Sequence, residues 1–213
     1  RGLSDDCGNP GLFQRLNAAT ADAEPSLIVG SLVSFGPLDL NVDASKPLID
    51  DAVVKDIPIE KVCDALADEA RKQDIPIGFF ARLIWQESRF VRTARSHAGA
   101  MGLAQFMPKT AAAFGLDDPF DPLNSVAASA KFLRQLRDQF GNLGLAAAAY
   151  NAGSGRVAKW LKGEDPLPLE TQNYVRIITG APVSRWTVAG PVDLHVALPH
   201  RAPCEGAGGL ARD

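Results

Sequence analysis

The spacing of apolar and polar positions changes twice along the 213-residue chain. Residues 1–55 mix short apolar runs with proline and glycine and carry no helical period, which predicts an irregular N-terminal extension with one candidate strand from Leu27 to Val33. From Pro58 a 3.6-residue period sets in. Ile59, Val62, Cys63, Leu66 and Ala70 share one face of a first helix, and Pro76 separates it from a second apolar helix running to about Ser88. Asp121 and Pro122 supply an N-cap and a proline at the first helical position. Val126, Ala130, Leu133, Leu136 and Phe140 then line one face of a long helix until Gly141. Shorter helices are predicted at Lys109 to Phe114, Asn142 to Tyr150, Ser154 to Lys162 and Glu170 to Thr179, with Gly115, Gly163 and Gly180 as stops. Strands and helices do not alternate, so a doubly wound sheet is disfavoured and residues 56–183 are predicted to form an all-α domain. Residues 184–213 carry Pro191, Pro199, Pro203 and the string Gly206-Ala207-Gly208-Gly209, and are expected to form an extended C-terminal tail.

Composition narrows the choice of partners. With 46% hydrophobic and 22% charged residues the chain is an ordinary globular protein, and a net charge of −3 does not suit a nucleic-acid binder. No apolar run reaches the roughly 18 residues needed to span a bilayer; the nearest, from Ser26 to Leu40, is broken by Gly30, Gly36 and Pro37. No cationic segment followed by an apolar stretch appears after Arg1, so no targeting signal is read in the sequence.

Cys7, Cys63 and Cys204 have no Cys-x-x-Cys spacing, and His97, His195 and His200 are scattered, so no metal site is read. Cys63 lies on the core face of the first helix, where a buried thiol acting as a small hydrophobe is one reading. In an oxidising compartment two of the three cysteines would pair instead. Cys63 with Cys204 is the favoured pairing, and it would fasten the C-terminal tail to the first helix. No dinucleotide fingerprint, phosphate loop or nucleophile elbow is present, so no cofactor is implied.

The second helix holds the most informative residue. Phe80, Leu83, Ile84 and Glu87 fall at i, i+3, i+4 and i+7, which places the Glu87 carboxylate on the apolar stripe. Desolvation and the nearby helix C-terminus should both raise its pKa, leaving an acid that can donate a proton near neutral pH. Cleavage of a glycoside requires such an acid. The plainer alternative pairs Glu87 with Arg82, Arg89 or Arg92 at the helix edge. Downstream, the segment from Ser96 to Pro108 mixes glycines, Ser96 and Gln105 with apolar residues, which suits either a sugar or a packed turn with its methionines as filler. Ala149-Tyr150-Asn151-Ala152-Gly153 by itself reads as a helix end with a glycine cap.

Taken together, four strings resemble the soluble lytic transglycosylases. They are Glu87-Ser88-Arg89-Phe90, the run from Gly99 to Pro108, Ala149 to Gly153, and Glu170-Thr171-Gln172-Asn173-Tyr174-Val175, in that order within residues 58–180. The resemblance implies a lysozyme-like helical domain that cleaves the β-1,4 bond between N-acetylmuramic acid and N-acetylglucosamine and leaves a 1,6-anhydromuramoyl end. It implies Glu87 as the single catalytic acid and base, and Ser96, Gln105, Met107, Tyr150, Asn151 and Glu170 along the substrate groove. The tyrosine near the acid would be Tyr150, with Tyr174 also close to the cleft. One acid suffices if the sugar's own C6 hydroxyl attacks, because no water then needs activation.

Two rival readings share this sequence. A goose-type lysozyme would hydrolyse the same bond and need a second carboxylate, from Asp117, Asp118, Asp121 or Glu170. A binding module would keep the groove without turnover. The resemblance further implies peptidoglycan strands as partner, a periplasmic location, a monomer, and envelope or secretion machinery as a docking partner for the extensions.

Overall fold

The structure is a computed structural model, and it describes residues 57–188 together with 194, 198 and 202–204. The expected N-terminal extension, the candidate strand at 27–33 and Cys7 lie outside the described residues. Among the described residues seven α-helices follow one another: α1 (Ile59–Lys72), α2 (Ile77–Ser88), α3 (Pro108–Ala113), α4 (Pro122–Phe140), α5 (Leu143–Ala152), α6 (Ser154–Leu161) and α7 (Leu169–Thr179). The expected all-α architecture is borne out among the described residues; extended pairing is limited to the isolated bridges Arg95 to Met101 and Met101 to Phe106. No described helix is long and apolar enough to cross a membrane.

Local chemistry sets the boundaries. The carboxylate of Asp121 accepts from the backbone N–H groups of Leu123 and Asn124, both at 2.9 Å, so the cap satisfies two otherwise orphaned donors at the start of α4. At its other end Gly141 adopts φ +85, a left-handed turn that glycine enters without steric cost.

The helices close around α5. From Gly144 to Asn151 every residue of α5 is buried, and Ala146, Ala147, Ala148 and Ala149 have no exposed surface. A helix that is apolar all round must be enclosed. Its methyl-sized side chains let α4, α6 and α7 approach closely, and α1 packs against α4.

The C-terminal part departs from the sequence expectation. Instead of extended chain after residue 183, a 3-10 helix spans Val183–Thr187. Trp186 lies over Gly144, where an added Cβ would fall 2.0 Å from the indole, and its ring N–H donates to Thr179 Oγ1 at 3.3 Å. Burial of the indole and of Val183, together with Asn142 Nδ2 donating to the Trp186 carbonyl at 2.9 Å, holds this segment against α5. Cys204 is disulfide-bonded to Cys63, so the thiol reading of Cys63 gives way to the pairing favoured for an oxidising compartment, and residue 204 is fastened to α1.

Candidate active site

Glu87 sits in the last turn of α2 beside Phe79, Phe80, Leu83 and Ile84, none of which has exposed surface; Glu87 itself is 3% exposed. The stripe that buries these side chains, each worth about 1.5–3 kcal/mol, carries the carboxyl inward with it. The helix stops immediately afterwards. Arg89 and Phe90 both take left-handed φ, +55 and +62, a conformation that costs a side-chain-bearing residue about 1–2 kcal/mol. The Arg89 guanidinium lies 5.1 Å from the Trp85 ring, and Phe90 is buried with its ring 6.3 Å from the same indole. Packing on Trp85 holds the strained pair in place, as expected where strain is kept next to a functional group.

The partner of Glu87 is a phenol. Tyr174, on α7, donates its hydroxyl to Glu87 Oε1 at 2.5 Å. Of the arginines considered as partners, Arg82 is buried and donates from Nε to the Ile178 carbonyl at 2.6 Å, while Arg89 is engaged with Trp85. Arg82 thereby ties the last turn of α7 to α2, the two helices whose side chains meet at the acid.

Burial pushes the Glu87 carboxyl up to about 8 from its ordinary 4.5, and the Tyr174 bond pulls it part of the way back down. Such a group opposes folding as it ionises. The native state binds the extra proton between pH 4.5 and 8, so the cost is absent below the lower value, grows through that window and is complete above the upper one. Tyr174 and Tyr150 are raised well above the usual phenol value, first by burial and then by the Glu87 charge, so both remain donors at neutral pH.

Tyr150 does a different job from Tyr174. Its hydroxyl donates to the Ala104 carbonyl at 2.9 Å and meets Ser129 Oγ at 2.9 Å, which bolts α5 and α4 to the lobe that follows α2. Cross-links within that lobe set its shape: Met101 and Phe106 exchange backbone bonds at 2.9 and 3.0 Å, and Ser96 accepts on Oγ from the Ala100 N–H. Gln105 has φ +51 and donates from Nε2 to the Gly102 and Ala94 carbonyls, so its amide braces the lobe from inside. Met107 is half-buried at the N-cap of α3.

Asn151, 4% exposed at the end of α5, accepts on Oδ1 from Thr171 Oγ1 at 2.7 Å, and its Nδ2 is buried with no partner. Glu170 is exposed in the first turn of α7. Among the other carboxylates considered, Asp121 is occupied by its capping bonds, Asp118 accepts from the Phe120 N–H, and Asp117 is exposed. An open depression of about 300 Å³ is lined by Met101, Pro108, Ala111 and Pro119, and Glu87 is not part of its wall.

The sequence profile of the transglycosylase SLT domain matches residues 64–171, half of the chain and a span that includes Glu87, the lobe, Tyr150 and Asn151. The chain belongs to this family. Among curated proteins, this SLT chain is 35% identical over 101 residues to membrane-bound lytic murein transglycosylase F of Cellvibrio japonicus, covering 44% of the chain and 20% of that relative. It is 38% identical over 109 residues to peptidoglycan transglycosylase gp16 of Escherichia phage T7, covering 45% and 8%. Lytic transglycosylase Slt of Pseudomonas aeruginosa, solved as an inactive mutant, aligns at 34% identity and a TM-score of 0.48 over 58% of this chain and 23% of that one. The chain thus spans well under half the length of these relatives.

Within the SLT domain, sequence reasoning assigned no individual part to Thr171, Ser129 or the Ala104 carbonyl, and it offered Arg82 as a partner of Glu87 rather than of the Ile178 carbonyl. A signal for the first was present, because Thr171 and Tyr174 stand three residues apart and share one face of α7. The others act across helices far apart in sequence, 96 residues in the case of Arg82 and Ile178.

Proposed function

We propose that this SLT domain cleaves the β-1,4 bond between N-acetylmuramic acid and N-acetylglucosamine in peptidoglycan without adding water, leaving a 1,6-anhydromuramoyl end. The observation that carries this reading is a buried glutamic acid held protonated at neutral pH and gripped on one oxygen by a phenol. Because Tyr174 donates to Oε1, the proton of the neutral acid sits on Oε2. That oxygen protonates the departing O4 as the glycosidic bond breaks. The carboxylate left behind is stabilised by the Tyr174 bond, which strengthens when its acceptor becomes charged. The C6 hydroxyl of the muramoyl residue attacks C1 and returns its proton to Glu87, so the acid is regenerated and no second carboxylate is used.

Relatives named as murein and peptidoglycan transglycosylases support the substrate class. The same reading puts the chain in the periplasm, acting as a monomer on glycan strands, with docking to envelope or secretion machinery left to its extensions.

Mass spectrometry of digested cell wall tests the reaction. Anhydro ends, one water lighter than reducing ends, are expected. Reducing ends would instead identify hydrolysis of the goose-lysozyme kind, and the absence of products a binding module. Glu87→Gln, similar in shape but unable to donate an acidic proton, is expected to lower turnover by about 10²- to 10⁴-fold with the fold and glycan binding retained. Unaltered lysis by that variant would refute the assignment.

A further inference from the structure

We propose that Arg82 is a positioning residue for the cleavage: by holding the Ile178 carbonyl it fixes α7 on α2 in the placement that lets the Tyr174 hydroxyl reach Glu87. The inference deepens the glycan-cleaving reading above, and its activity readout rests on that reading.

Two buried bonds join α2 to α7. Arg82 Nε donates to the Ile178 carbonyl at 2.6 Å, and Tyr174 donates to Glu87 Oε1 at 2.5 Å. On α2 the two residues stand five apart and on α7 four apart, in opposite order along the chain. Five residues carry a helix about 140° beyond one full turn, so the bonds leave α2 in different directions and together resist both sliding and rolling of α7. The Ile178 carbonyl is one of the last four of α7, which find no acceptor role inside the helix, and a guanidinium there also meets the negative end of the helix dipole. A cation is a costly filler for such a place. Arg82 is 7% exposed and burial pulls its guanidinium down to about 10, whereas a methionine of similar length would fill the space without that penalty. What the arginine adds is a fixed point one turn from Tyr174. The phenol needs one, because a hydrogen bond weakens steeply as its donor draws away or swings out of line.

The groups that titrate beside Glu87 are Tyr174 from α7 and Tyr150 from α5, both raised well above the usual phenol value. The charged side chains of α1 are exposed or, as with Glu69, paired with Lys72. After Glu87, Arg89 and Arg95 lie over the Trp85 and Phe120 rings, Arg92 is half-buried and His97 is exposed. Ionisation of Glu87 therefore reports on the Tyr174 bond.

Carbon-13 NMR titration of the Glu87 carboxyl in the full chain, its signal assigned by loss in Glu87→Gln, tests this. Arg82→Met, which puts a methyl group where Nε stood, is expected to raise the Glu87 midpoint by about one pH unit, the scale of one hydrogen bond to a charged group. The alkaline limb of kcat/KM should rise with it. Arg82→Gln, whose Nε2 stands as many bonds from the backbone as the lost Nε, should keep midpoint and limb at the parent values. Adding Arg82→Met to Tyr174→Phe should move neither further, since the phenol hydroxyl is already gone. An unmoved midpoint in Arg82→Met, equal shifts in the Met and Gln variants, or a further shift on top of Tyr174→Phe overturns the proposal. Should Arg82→Met not fold, Arg82→Lys, which keeps the charge but carries its donor one bond further out, takes its place; a smaller upward shift is expected, and no shift overturns the proposal. The titration needs no substrate, so reducing ends or an absence of products in digests would refute the transglycosylase reading and leave this result standing.

Discussion

At the scale of single residues the site is a contest between burial and one hydrogen bond. Burial raises the Glu87 carboxyl, and Tyr174 opposes that rise by favouring the ionised form. Removing the phenolic hydroxyl with Tyr174→Phe should therefore move Glu87 further up, so the alkaline fall of kcat/KM, set near pH 8 by the acid, shifts to higher pH while the plateau rate drops about tenfold or more. A pH–rate profile of the variant with an unmoved or acid-shifted limb would contradict this account. The inward placement of Glu87 was legible from its i, i+3, i+4, i+7 register alone. Which tyrosine touches it was not. Tyr150 and Tyr174 are both buried and both near the acid, and only the relative placement of α5 and α7 sends one hydroxyl to Ala104 and the other to Glu87.

At the scale of elements the predicted helices fall within one or two residues of the observed ones, because prolines, Asp121 and the glycine stops encode the ends through local chemistry. The lobe between α2 and α3 was legible only as a string suited to close packing. Its shape depends on pairings such as Gly102 N–H to the Ala94 carbonyl at 2.9 Å, and on how it meets the loop before α4. Gly102 has φ +73, and a Cβ there would fall 1.8 Å from the Pro119 carbonyl oxygen, a backbone atom that cannot rotate away. Gly102→Ala is accordingly expected to destabilise by about 2–4 kcal/mol and to weaken glycan binding, read by thermal unfolding and titration. The Val183–Thr187 segment escaped the sequence reading because five residues carry too little periodicity, and its order comes from Trp186 meeting the bare face of Gly144.

At the scale of the whole molecule, the Cys63–Cys204 bond joins residues 141 apart in sequence. A cross-link closing so long a loop restricts the unfolded chain strongly, and its loss typically costs about 2–5 kcal/mol. Cys204→Ser should lower the denaturation midpoint accordingly, and reductant should lower that of the unaltered chain while leaving the variant unmoved. The pairing could only be favoured, not fixed, from three cysteines, since spacing does not say which will meet. Helix α7 carries a broader implication. It is anchored at its end by Arg82 on the Ile178 carbonyl and by Trp186 on Thr179, and it grips Asn151 and Glu87 through Thr171 and Tyr174. A rod clamped at one end with both jaws on the same shaft cannot loosen one without the other, so a displacement of α7 would release the Glu87 carboxyl and the Asn151 amide in a single stroke.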